Sequence, residues 1–409
     1  MALHVMDEAN RCLACKKPQC QKGCPINTPI PEVIRLLKEN KLDEAGWLLF
    51  ENNPLTTVCS LVCDHEKQCE GHCILNKKGA PVHFSVIEDY ISGTFANKMT
   101  KGPSPSNGIK VAIVGSGPAG LTIAILLARK GYQVTIFERN DQIGGVMRYG
   151  IPEFRLPKSV LEDLQYRHLE KKGIKVRPNT NIGGAIGIDD LFRDGYKAIF
   201  IGTGVWKPNA LHIKGETLGH VHYAIDYLRN PDSFNLGKTV IVIGAGNAAM
   251  DVARTALRKG VEHLTCFSLR QKIAASQYER RYAQLEGVKF TCNKKPVEIT
   301  DDGVIFRDVE EAADGSLTER SGSDRLYQTD SVIIAISQGP MNQIVGTTDG
   351  LNTTDQGLLA VDADGRTSRP GIFASGDVVN GARTVVEAVA YSKRVAEAMD
   401  TYMQSLPKD

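Results

Sequence analysis

The 409-residue sequence lacks several features that would assign it at once to a large class of proteins. Its longest apolar stretch, Leu121–Ala128, is far too short to cross a bilayer, so we expect no membrane span. Its start, Met1–Arg11, contains two acids and no apolar run, so we expect no secretory signal. The formal net charge of +2 gives no indication of binding to nucleic acid or a membrane surface. We therefore expect a cytoplasmic protein with two or three domains.

Cysteine is scarce over most of the chain and crowded in one segment. Eight of the ten cysteines lie between Cys12 and Cys73, and only Cys266 and Cys292 lie elsewhere. Such crowding indicates either a disulfide framework or a metal site. Because disulfides are rare in the reducing compartment expected for this chain, metal binding is the favoured interpretation.

The pattern of the chain changes near residue 109. Before it, helical patterns at Ile30–Asn40 and Asp43–Glu51 predict a small helical domain, with a helix start at Thr28-Pro29. After it, strand-like and helical runs alternate, which predicts parallel sheets with crossover helices. The polar segment Thr300–Asp330 predicts an antiparallel excursion. The predicted strands are Lys110–Val114, Val134–Phe137, Ala198–Ile201, Thr239–Ile243, Leu264–Phe267 and Val332–Ile336.

The predicted fold class is α/β. It has a helical N-terminal domain followed by two Rossmann-like dinucleotide-binding domains, the second inserted in the first. The predicted segments are a helical domain at 1–100, a linker at 101–109, a first dinucleotide domain at 110–235 and 338–409, and a second at 236–337.

The first glycine loop follows a predicted strand and precedes a predicted helix. Glycines in this G-x-G-x-x-G spacing let the backbone turn tightly and approach a pyrophosphate at the helix N-terminus. The next strand ends at Glu138, whose carboxylate is placed to accept hydrogen bonds from a ribose. With strand, loop, helix and acid in order, a glycine turn without function is the weaker interpretation. The loop residues are Gly115, Gly117, Pro118, Ala119 and Gly120.

A second glycine loop repeats the pattern. It contains Gly244 and Gly246, with Ala249 in the third position, where close packing of helix and strand is all that is needed. Two loops predict two dinucleotides, one a tightly held flavin and the other an exchangeable nicotinamide. After the following strand come Ser268 and Leu269 instead of the acid typical of an NAD site. Arg270 and Lys272 lie within reach of a 2′-phosphate, so NADH is favoured only weakly over NADPH.

The crowded cysteines form two halves, Cys12-x2-Cys15-x4-Cys20-x3-Cys24 and Cys59-x3-Cys63-x5-Cys69-x3-Cys73. Zinc suits a C-x2-C pair but needs four ligands and has no redox chemistry. A cysteine followed directly by proline, as at Cys24, is typical of runs that bind iron–sulfur clusters. Because a flavin needs an outlet for electrons and no C-x2-C pair follows Gly115, iron–sulfur is the stronger interpretation.

The chain resembles the family of the small subunit of bacterial glutamate synthase. The family includes the NAD-dependent subunit of bacterial dihydropyrimidine dehydrogenase and flavin subunits of ferredoxin:NADP transhydrogenases. The resemblance runs from about Ala9 to Met399 and rests on CLACKKPQCQKGCP, GIPEFRLP, both glycine loops and SGDVVNGARTVVEAV.

The resemblance implies two [4Fe–4S] clusters. It implies that Cys12, Cys15, Cys20 and Cys73 bind one. It implies that Cys24, Cys63, Cys69 and Glu88 bind the other, which leaves Cys59 without a cluster role. Without the family, Glu88 would be interpreted as a solvated helix carboxylate.

The resemblance also implies the cofactor contacts. For Arg155, a structural ion pair is an equal alternative. For Gly376 and Asp377, spacing alone indicates only a loop at a strand end. The implied FAD contacts are Glu138, Gly145, Val146, Arg155, Ile182, Gly376, Asp377, Thr384, Val385 and Val386. The implied NADH or NADPH contacts are Gly246, Asn247, Ala248, Ala249 and Ala335, with Arg270 the candidate for a 2′-phosphate.

The resemblance finally implies a hetero-oligomer in which a partner carries the substrate-reducing site. The favoured partner is a dihydropyrimidine dehydrogenase-like subunit, followed by a glutamate synthase large subunit or a ferredoxin. Two alternatives of other classes stay open at this point. One is a cluster-binding redox sensor or assembly factor, and the other is a self-contained reductase of a small acceptor such as polysulfide or quinone.

Overall fold

The computed structural model describes residues 4–96 and 102–407, which form two compact units. The first unit consists of the described residues up to Arg148, of Glu153–Val205 and of those from Gly339 onward. The second consists of Tyr149–Pro152 and Trp206–Gln338, so it is inserted in the first, as the predicted fold class requires. The predicted domain boundaries divide the chain more finely and stay a prediction. Their residues 1–3, 97–101 and 408–409 lie outside the described part.

Helices fill the N-terminal part and flank the sheets. None within 4–96 and 102–407 is long and apolar enough to span a bilayer. The α-helices are α1 Val5–Arg11, α2 Gln19–Gly23, α3 Ile30–Lys38, α4 Leu42–Asn52, α5 Thr56–Val62, α6 Phe84–Ala96, α7 Pro118–Arg129, α8 Val146–Tyr149, α9 Lys158–Leu164, α10 Ile188–Arg193, α11 Ala224–Arg229, α12 Asn247–Arg258, α13 Gln277–Leu285, α14 Gln343–Gly346, α15 Asp377–Asn380 and α16 Val385–Gln404.

The strands lie after the helical N-terminal part. They are β1 Lys110–Val114, β2 Gln133–Phe137, β3 Lys175–Arg177, β4 Tyr196–Ile201, β5 Lys207–Pro208, β6 Val221–Tyr223, β7 Thr239–Ile243, β8 His263–Phe267, β9 Lys289–Thr291, β10 Lys294–Thr300, β11 Gly303–Glu311, β12 Leu317–Glu319, β13 Arg325–Gln328, β14 Ser331–Ile334, β15 Gln338–Gly339 and β16 Ile372–Ala374.

The first unit contains a five-stranded parallel sheet in the order β16-β4-β1-β2-β3. In β1, Val111 pairs with Val134 of β2 and with Ala198 of β4. The central strands are buried along almost their whole length, since helices of a doubly wound fold cover both faces. All of its predicted strands are present, and the short β3 and β16 complete it.

The second unit repeats this arrangement with a parallel sheet in the order β6-β14-β7-β8-β9. Its predicted last strand extended to Ile336, but β14 ends at Ile334 because the chain turns there against the second glycine loop. The predicted antiparallel excursion is also confirmed. It consists of β10, β11, β12 and β13, with β12 and β13 both paired to β11, and it begins earlier than predicted, at Lys294.

The helical N-terminal part has a core of its own. Buried side chains of α3, α4 and α6 meet there, among them Val33, Leu49, Ile87 and Ile91. The predicted helix at Ile30–Asn40 is α3, which ends two residues earlier because Asn40 has a left-handed φ of 58°. Of the eight clustered cysteines, Cys20 lies in α2, Cys59 lies in α5, and the others lie in connections between helices. The core that these elements share holds the cysteines in place.

An aromatic and ionic contact joins α4 to the rest of the first unit. The ring of Phe50 stacks on His168, with centroids 4.9 Å apart and planes 18° apart. The guanidinium of Arg129 lies 5.5 Å from the centre of the same ring and pairs with Glu51. At the same C-terminal end of α4, the Nζ of Lys393 in α16 donates to the Asn52 carbonyl at 2.6 Å. These contacts hold the C-terminal end of α4 beside α7 and α16.

His168 should make the first unit acid-sensitive. Burial lowers the pKa of His168 from 6.5 to about 4, so the unfolded chain binds the proton more readily than the folded one. The stabilisation is therefore fully present above pH 6.5 and is lost as the pH falls through about 4, roughly 2 kcal/mol of it by pH 5. We expect His168→Phe, which keeps the stacking, to reduce the fall in melting temperature between pH 7.5 and 5. Equal falls in the variant and the wild type would contradict this prediction.

Candidate functional site

Two neighbouring cavities in the helical part bring the clustered cysteines together. Five cysteines line the first cavity, and its lining is otherwise largely apolar. Ile34, Val82 and Phe84 belong to that apolar lining. One of the five cysteines is Cys69. The other four are Cys12, Cys15, Cys20 and Cys73, which is the set that the family resemblance implies for one cluster.

The second cavity is lined by the rest of the crowded cysteines and by Glu88. Its wall contains Cys24, Cys59, Cys63, Cys69 and Glu88. The sulfur of Cys24 lies 3.2 Å from the Thr28 hydroxyl, which fixes its direction. The implied ligand set is therefore placed around one space. Cys59 lies on the same wall, so position alone does not separate it from the ligands.

The two cavities are adjacent, because Ile30, Cys69 and Phe84 line both of them. The second cavity also reaches Val386 in the first turn of α16. Leu13 and Ile74 in the wall of the first cavity are exposed by 59% and 50%, so that cavity lies near the surface. The cavities thus form a series from the start of α16 to the surface.

Polar atoms around the second cavity fit a sulfide-rich group. The Nδ2 of Asn53 and the Nε2 of His65 are buried and have no hydrogen-bond partner among the described residues. Both residues line the cavity. Buried donors are rarely left unsatisfied, and hydrogen bonds to cluster sulfurs tune iron–sulfur centres. Asn53 and His65 are therefore suited to donate to the sulfur atoms of a cluster.

The spacing of the cysteines fits a cluster better than a single ion. Within 4–96 and 102–407, no group of three or more His, Cys, Asp or Glu side chains converges closely enough to hold one metal ion. A four-iron cluster instead takes thiolates from around the volume that it fills.

Glu88 is a buried carboxylate rather than a solvated one, so the interpretation that neglects the family is wrong. It is only 6% exposed, and its Oε1 accepts a hydrogen bond of 2.6 Å from the Thr56 hydroxyl. Burial raises the pKa of Glu88 to about 7, against the lowering effect of Thr56. A carboxylate in such surroundings is favoured by a nearby positive centre such as iron.

Burial also disfavours ionisation of the cysteine thiols. It raises the pKa of Cys20 to about 11 and the pKa of Cys69 well above its usual value. For Cys63, the main cause of a raised pKa is a hydrogen bond with the Cys59 thiol, followed by burial. Thiols of this kind are inert unless a metal draws off the proton. The raised pKa values of these thiols fit cluster ligands and not reactive nucleophiles.

The first glycine loop builds a cradle at the carboxyl edge of the first sheet. Gly115 has a φ of 98°, and a Cβ there would lie 2.7 Å from the Gly202 carbonyl oxygen. Gly117, by contrast, has a φ of −69°, and among the described residues beyond its two neighbours a Cβ there would approach only the same oxygen, at 4.0 Å. Gly145 approaches Gly117 closely, since a Cβ on Gly145 would lie 2.8 Å from the Gly117 Cα. The open side of Gly117 at the N-terminus of α7 fits a pyrophosphate.

Glu138 holds this loop in shape. Its Oε2 accepts hydrogen bonds from the Ser116 backbone N–H at 2.9 Å and from the Ser116 hydroxyl. Its Oε1 accepts from the Asn140 N–H at 2.8 Å and from the Asn140 side-chain amide at 2.9 Å. Glu138, the predicted ribose acceptor, therefore also stabilises the conformation of the loop. Sequence alone did not indicate this role.

The structure brings most of the other proposed flavin residues toward this edge. A Cβ on Gly376 would lie 2.9 Å from the Cβ of Ala119, so the loop before α15 lies against the start of α7. Asp377 accepts a hydrogen bond from the Arg383 N–H at 3.1 Å, and burial raises the pKa of Asp377 to about 6. Thr384 caps α16 through a reciprocal pair with Glu387.

Three further proposed flavin residues lie at separate places in the first unit. Val146 begins α8, directly after Gly145. Arg155 lies between α8 and α9 and is half-buried. Ile182 is buried against Phe137 in the core of the first unit, so packing alone explains its apolar side chain.

The second glycine loop has the same geometry. Gly244 has a φ of 128°, and a Cβ there would lie 2.3 Å from the carbonyl oxygen of Ala335. Apart from its two chain neighbours, no atom of the described residues lies within 4 Å of a Cβ placed on Gly246, whose φ is −86°. Asn247 and Ala248 are exposed in the first turn of α12, and Ala249 is buried against the sheet. The free side at Gly246 fits a second pyrophosphate.

Arg270, the candidate for a 2′-phosphate, is already engaged. Its guanidinium pairs with the Glu311 carboxylate at 2.5 Å and donates to the Gly315 carbonyl at 2.9 Å. The hydroxyl of Ser268 donates to the Arg270 carbonyl, which fixes the turn after β8. Glu311 and Gly315 both belong to the antiparallel excursion. Their contacts therefore hold the positive charge of Arg270 on that side.

Sequence reasoning missed Asn53, His65, Thr56, Ser116 and Asn140. The first three are near Glu88 or the second cavity only through the packing of α4, α5 and α6. Ser116 lies inside the glycine motif, so its position gave a signal that was not used.

Two family models match the chain. Residues 109–392 match "Pyridine nucleotide-disulphide oxidoreductase", and residues 2–100 match "Dihydropyrimidine dehydrogenase domain II, 4Fe-4S cluster". The chain is 32% identical to the glutamate synthase [NADPH] small chain of Escherichia coli, over 97% of this chain and 91% of that protein. It is also 32% identical to the NAD-dependent dihydropyrimidine dehydrogenase subunit PreT of Salmonella typhimurium, over 98% and 95%.

Solved structures show the same fold. FprA from Mycobacterium tuberculosis aligns with a TM-score of 0.62 at 18% identity, over 74% of this chain and 85% of that one. The thioredoxin reductase of T. acidophilum aligns with a TM-score of 0.56 at 22% identity, over 73% and 98%.

Proposed function

Because the chain belongs to the pyridine nucleotide-disulphide oxidoreductases, in the group of the glutamate synthase small chain and its relatives, we propose that it is the electron-input subunit of a multi-subunit reductase. It is an NAD(P)H-linked oxidoreductase with FAD and [4Fe–4S] clusters as cofactors. When bound, the flavin takes a hydride from the nicotinamide, and the clusters carry the electrons singly. The residues that line the cysteine cavities and the glycine loops would hold these groups.

The observation that carries the proposal is the series of the two cysteine cavities. The second cavity touches Val386, beside the proposed flavin residues Thr384 and Val385. It shares a wall with the first cavity, which lies near the surface. The order from α16 through the second cavity to the first suits a chain that takes up electrons at the flavin and passes them to a partner at the surface.

The remaining cysteines support the same outlet. Cys266 is fully buried in β8, and burial raises its pKa beyond the range of a reactive thiol. Cys292 follows β9, in the second unit. No pair of redox cysteines follows the first glycine loop in the sequence, so the helical part is the outlet that we assign.

We assign a dihydropyrimidine dehydrogenase-like partner, with a glutamate synthase large subunit as the second candidate, in the cytoplasm. The relatives named for these two activities match this chain over nearly its whole length. A sensor without enzymatic activity has no observation in its favour.

The test uses the purified chain with both cofactors. We expect NADH to bleach the flavin and to drive reduction of a dye acceptor, but not of uracil. Adding a uracil-reducing partner subunit should restore uracil reduction. Failure of both nicotinamides to reduce the flavin would contradict the proposal, and activity only with a glutamate synthase large subunit would replace the assigned partner.

We also propose NADH as the preferred donor, because the pairing of Arg270 with Glu311 and Gly315 withholds its charge from a 2′-phosphate. Glu311→Gln should release the guanidinium and improve kcat/KM for NADPH by roughly tenfold, with little change for NADH. The measurement is flavin reduction at a series of concentrations of each donor.

The matched control for this change is Glu310→Gln, since Glu310 is an exposed neighbour on the same strand. It removes the same charge without touching Arg270, so its NADPH constants should stay at the wild-type values. An equal gain in both variants would indicate a general effect of charge, and no gain in Glu311→Gln would contradict the role of the pair.

A further inference from the structure

The surface over the first cysteine cavity is both apolar and basic. Leu13 and Ile74 belong to the cavity wall, yet they are 59% and 50% exposed. Large apolar side chains exposed together at a redox cavity mark a place where another surface comes close.

Four lysines lie close in sequence to these two apolar residues, and one of them, Lys17, lines the cavity itself. Lys16 and Lys17 follow Cys15, Lys77 and Lys78 follow Ile74, and all four are exposed. None of them forms an ion pair within the described residues. The segments 12–25 and 73–83 contain no aspartate or glutamate at all. We name the six residues Leu13, Lys16, Lys17, Ile74, Lys77 and Lys78 the exit rim.

The charge of the exit rim is specific to the first cavity. Near the second cavity, the segment 64–67 contains Asp64 and Glu66 beside Lys67, and Lys67 pairs with Asp64 at 3.0 Å. The whole chain carries a net charge of only +2. The four unpaired lysines are therefore a local concentration of positive charge and not a sample of the average surface.

We propose that the exit rim is the docking surface for an acidic redox protein, which places carboxylates on the four lysines and its own redox centre over Leu13 and Ile74. This inference rests on the proposed function, because it names the partner chemistry at the electron outlet. Complementary charge steers encounter, and a small apolar centre lets two redox groups approach without trapped water. Neither a lipid surface nor a nucleic acid would bring a redox centre to this position.

The test compares two haem proteins as one-electron acceptors, acidic cytochrome b5 and basic cytochrome c. The holo chain is reduced with NADH, and haem reduction is followed at low ionic strength. We expect faster transfer to cytochrome b5 and a loss of that advantage in high salt. The variant Lys16→Glu/Lys17→Glu/Lys77→Glu/Lys78→Glu should reduce cytochrome b5 about tenfold to a hundredfold more slowly and cytochrome c faster.

A matched control separates docking from the cofactors. Lys175→Glu/Lys289→Glu reverses charge at two exposed lysines outside the exit rim, and Lys77→Glu/Lys78→Glu reverses the same number within it, away from the cysteines. Both should keep the wild-type iron content and wild-type reduction of dichlorophenolindophenol, and only the second should slow cytochrome b5. Equal cytochrome b5 rates in the two double variants would overturn the docking surface and leave the proposed function intact. A wild-type chain that reduces no dye would overturn both.

Discussion

Replacing Glu88 by alanine is expected to remove about half of the iron from the holo chain, whereas Cys59→Ala should leave the iron content unchanged. Glu88 shares the second cavity with Cys24, Cys63 and Cys69, and its buried carboxylate is held by Thr56. Removing it would take away one of four ligands and leave that cluster open to loss. The first cavity has its own four cysteines, so its iron should remain.

Cys59 is the residue that makes this experiment informative. Cys59 lies on the wall of the same cavity, and its thiol forms a hydrogen bond with the thiol of Cys63. The geometry therefore offers five candidate ligands for the four ligand positions of one cluster. Iron and acid-labile sulfide should be counted for both variants, and the reduced clusters examined by EPR. Asp89→Ala is the matched control, because Asp89 is the exposed neighbour of Glu88. Loss of iron in Cys59→Ala together with full iron in Glu88→Ala would reverse the assignment.

Glu88→Gln gives a second readout that a purely structural role would not produce. The amide keeps an oxygen that can bind iron and accept from Thr56, but it lacks the negative charge. We expect this variant to retain its iron and to show a higher reduction potential for one cluster, since less negative charge favours the reduced state. An unchanged potential would indicate that Glu88 does not touch the cluster.

The parallel sheets were predictable because their strands are continuous apolar runs. Strands such as β1 and β7 are buried on both faces, so almost every residue must be apolar and the signal is strong in a short window. The strands that were missed are short or partly polar, such as β3 and β6. Their strand conformation depends on pairing with a neighbour, which the local sequence does not encode.

The candidate site was predictable where its chemistry is local and not where it depends on packing. Glycine loops and cysteine spacings lie within a few residues of one another, so the sequence carries them directly. The engagement of Arg270 by Glu311 joins the turn after β8 to the end of β11. The free donors of Asn53 and His65 face a cavity that only the folded helices create. Such features follow from tertiary structure, which no spacing rule specifies.

Gly246→Ala is expected to reduce kcat/KM for flavin reduction by NADH by roughly 100-fold, with FAD, iron and thermal stability unchanged. The φ of −86° suits alanine, and in the described part of the chain no atom beyond the two neighbouring residues lies within 4 Å of the added Cβ. The methyl group would therefore occupy space that the fold leaves free, at the point where the backbone must approach a pyrophosphate. Rapid-mixing measurements of flavin bleaching against NADH concentration would give the constants.

Gly244→Ala separates this effect from damage to the fold. At Gly244 the φ of 128° disfavours any side chain, and the new Cβ would lie 2.3 Å from the Ala335 carbonyl oxygen, so the second unit should lose stability. Gly246→Ala should instead melt like the wild type and, once reduced by dithionite, still pass electrons to cytochrome b5 at the wild-type rate. Wild-type kinetics in Gly246→Ala would show that the second glycine loop does not receive the nicotinamide, because a blocked pyrophosphate site must impair binding.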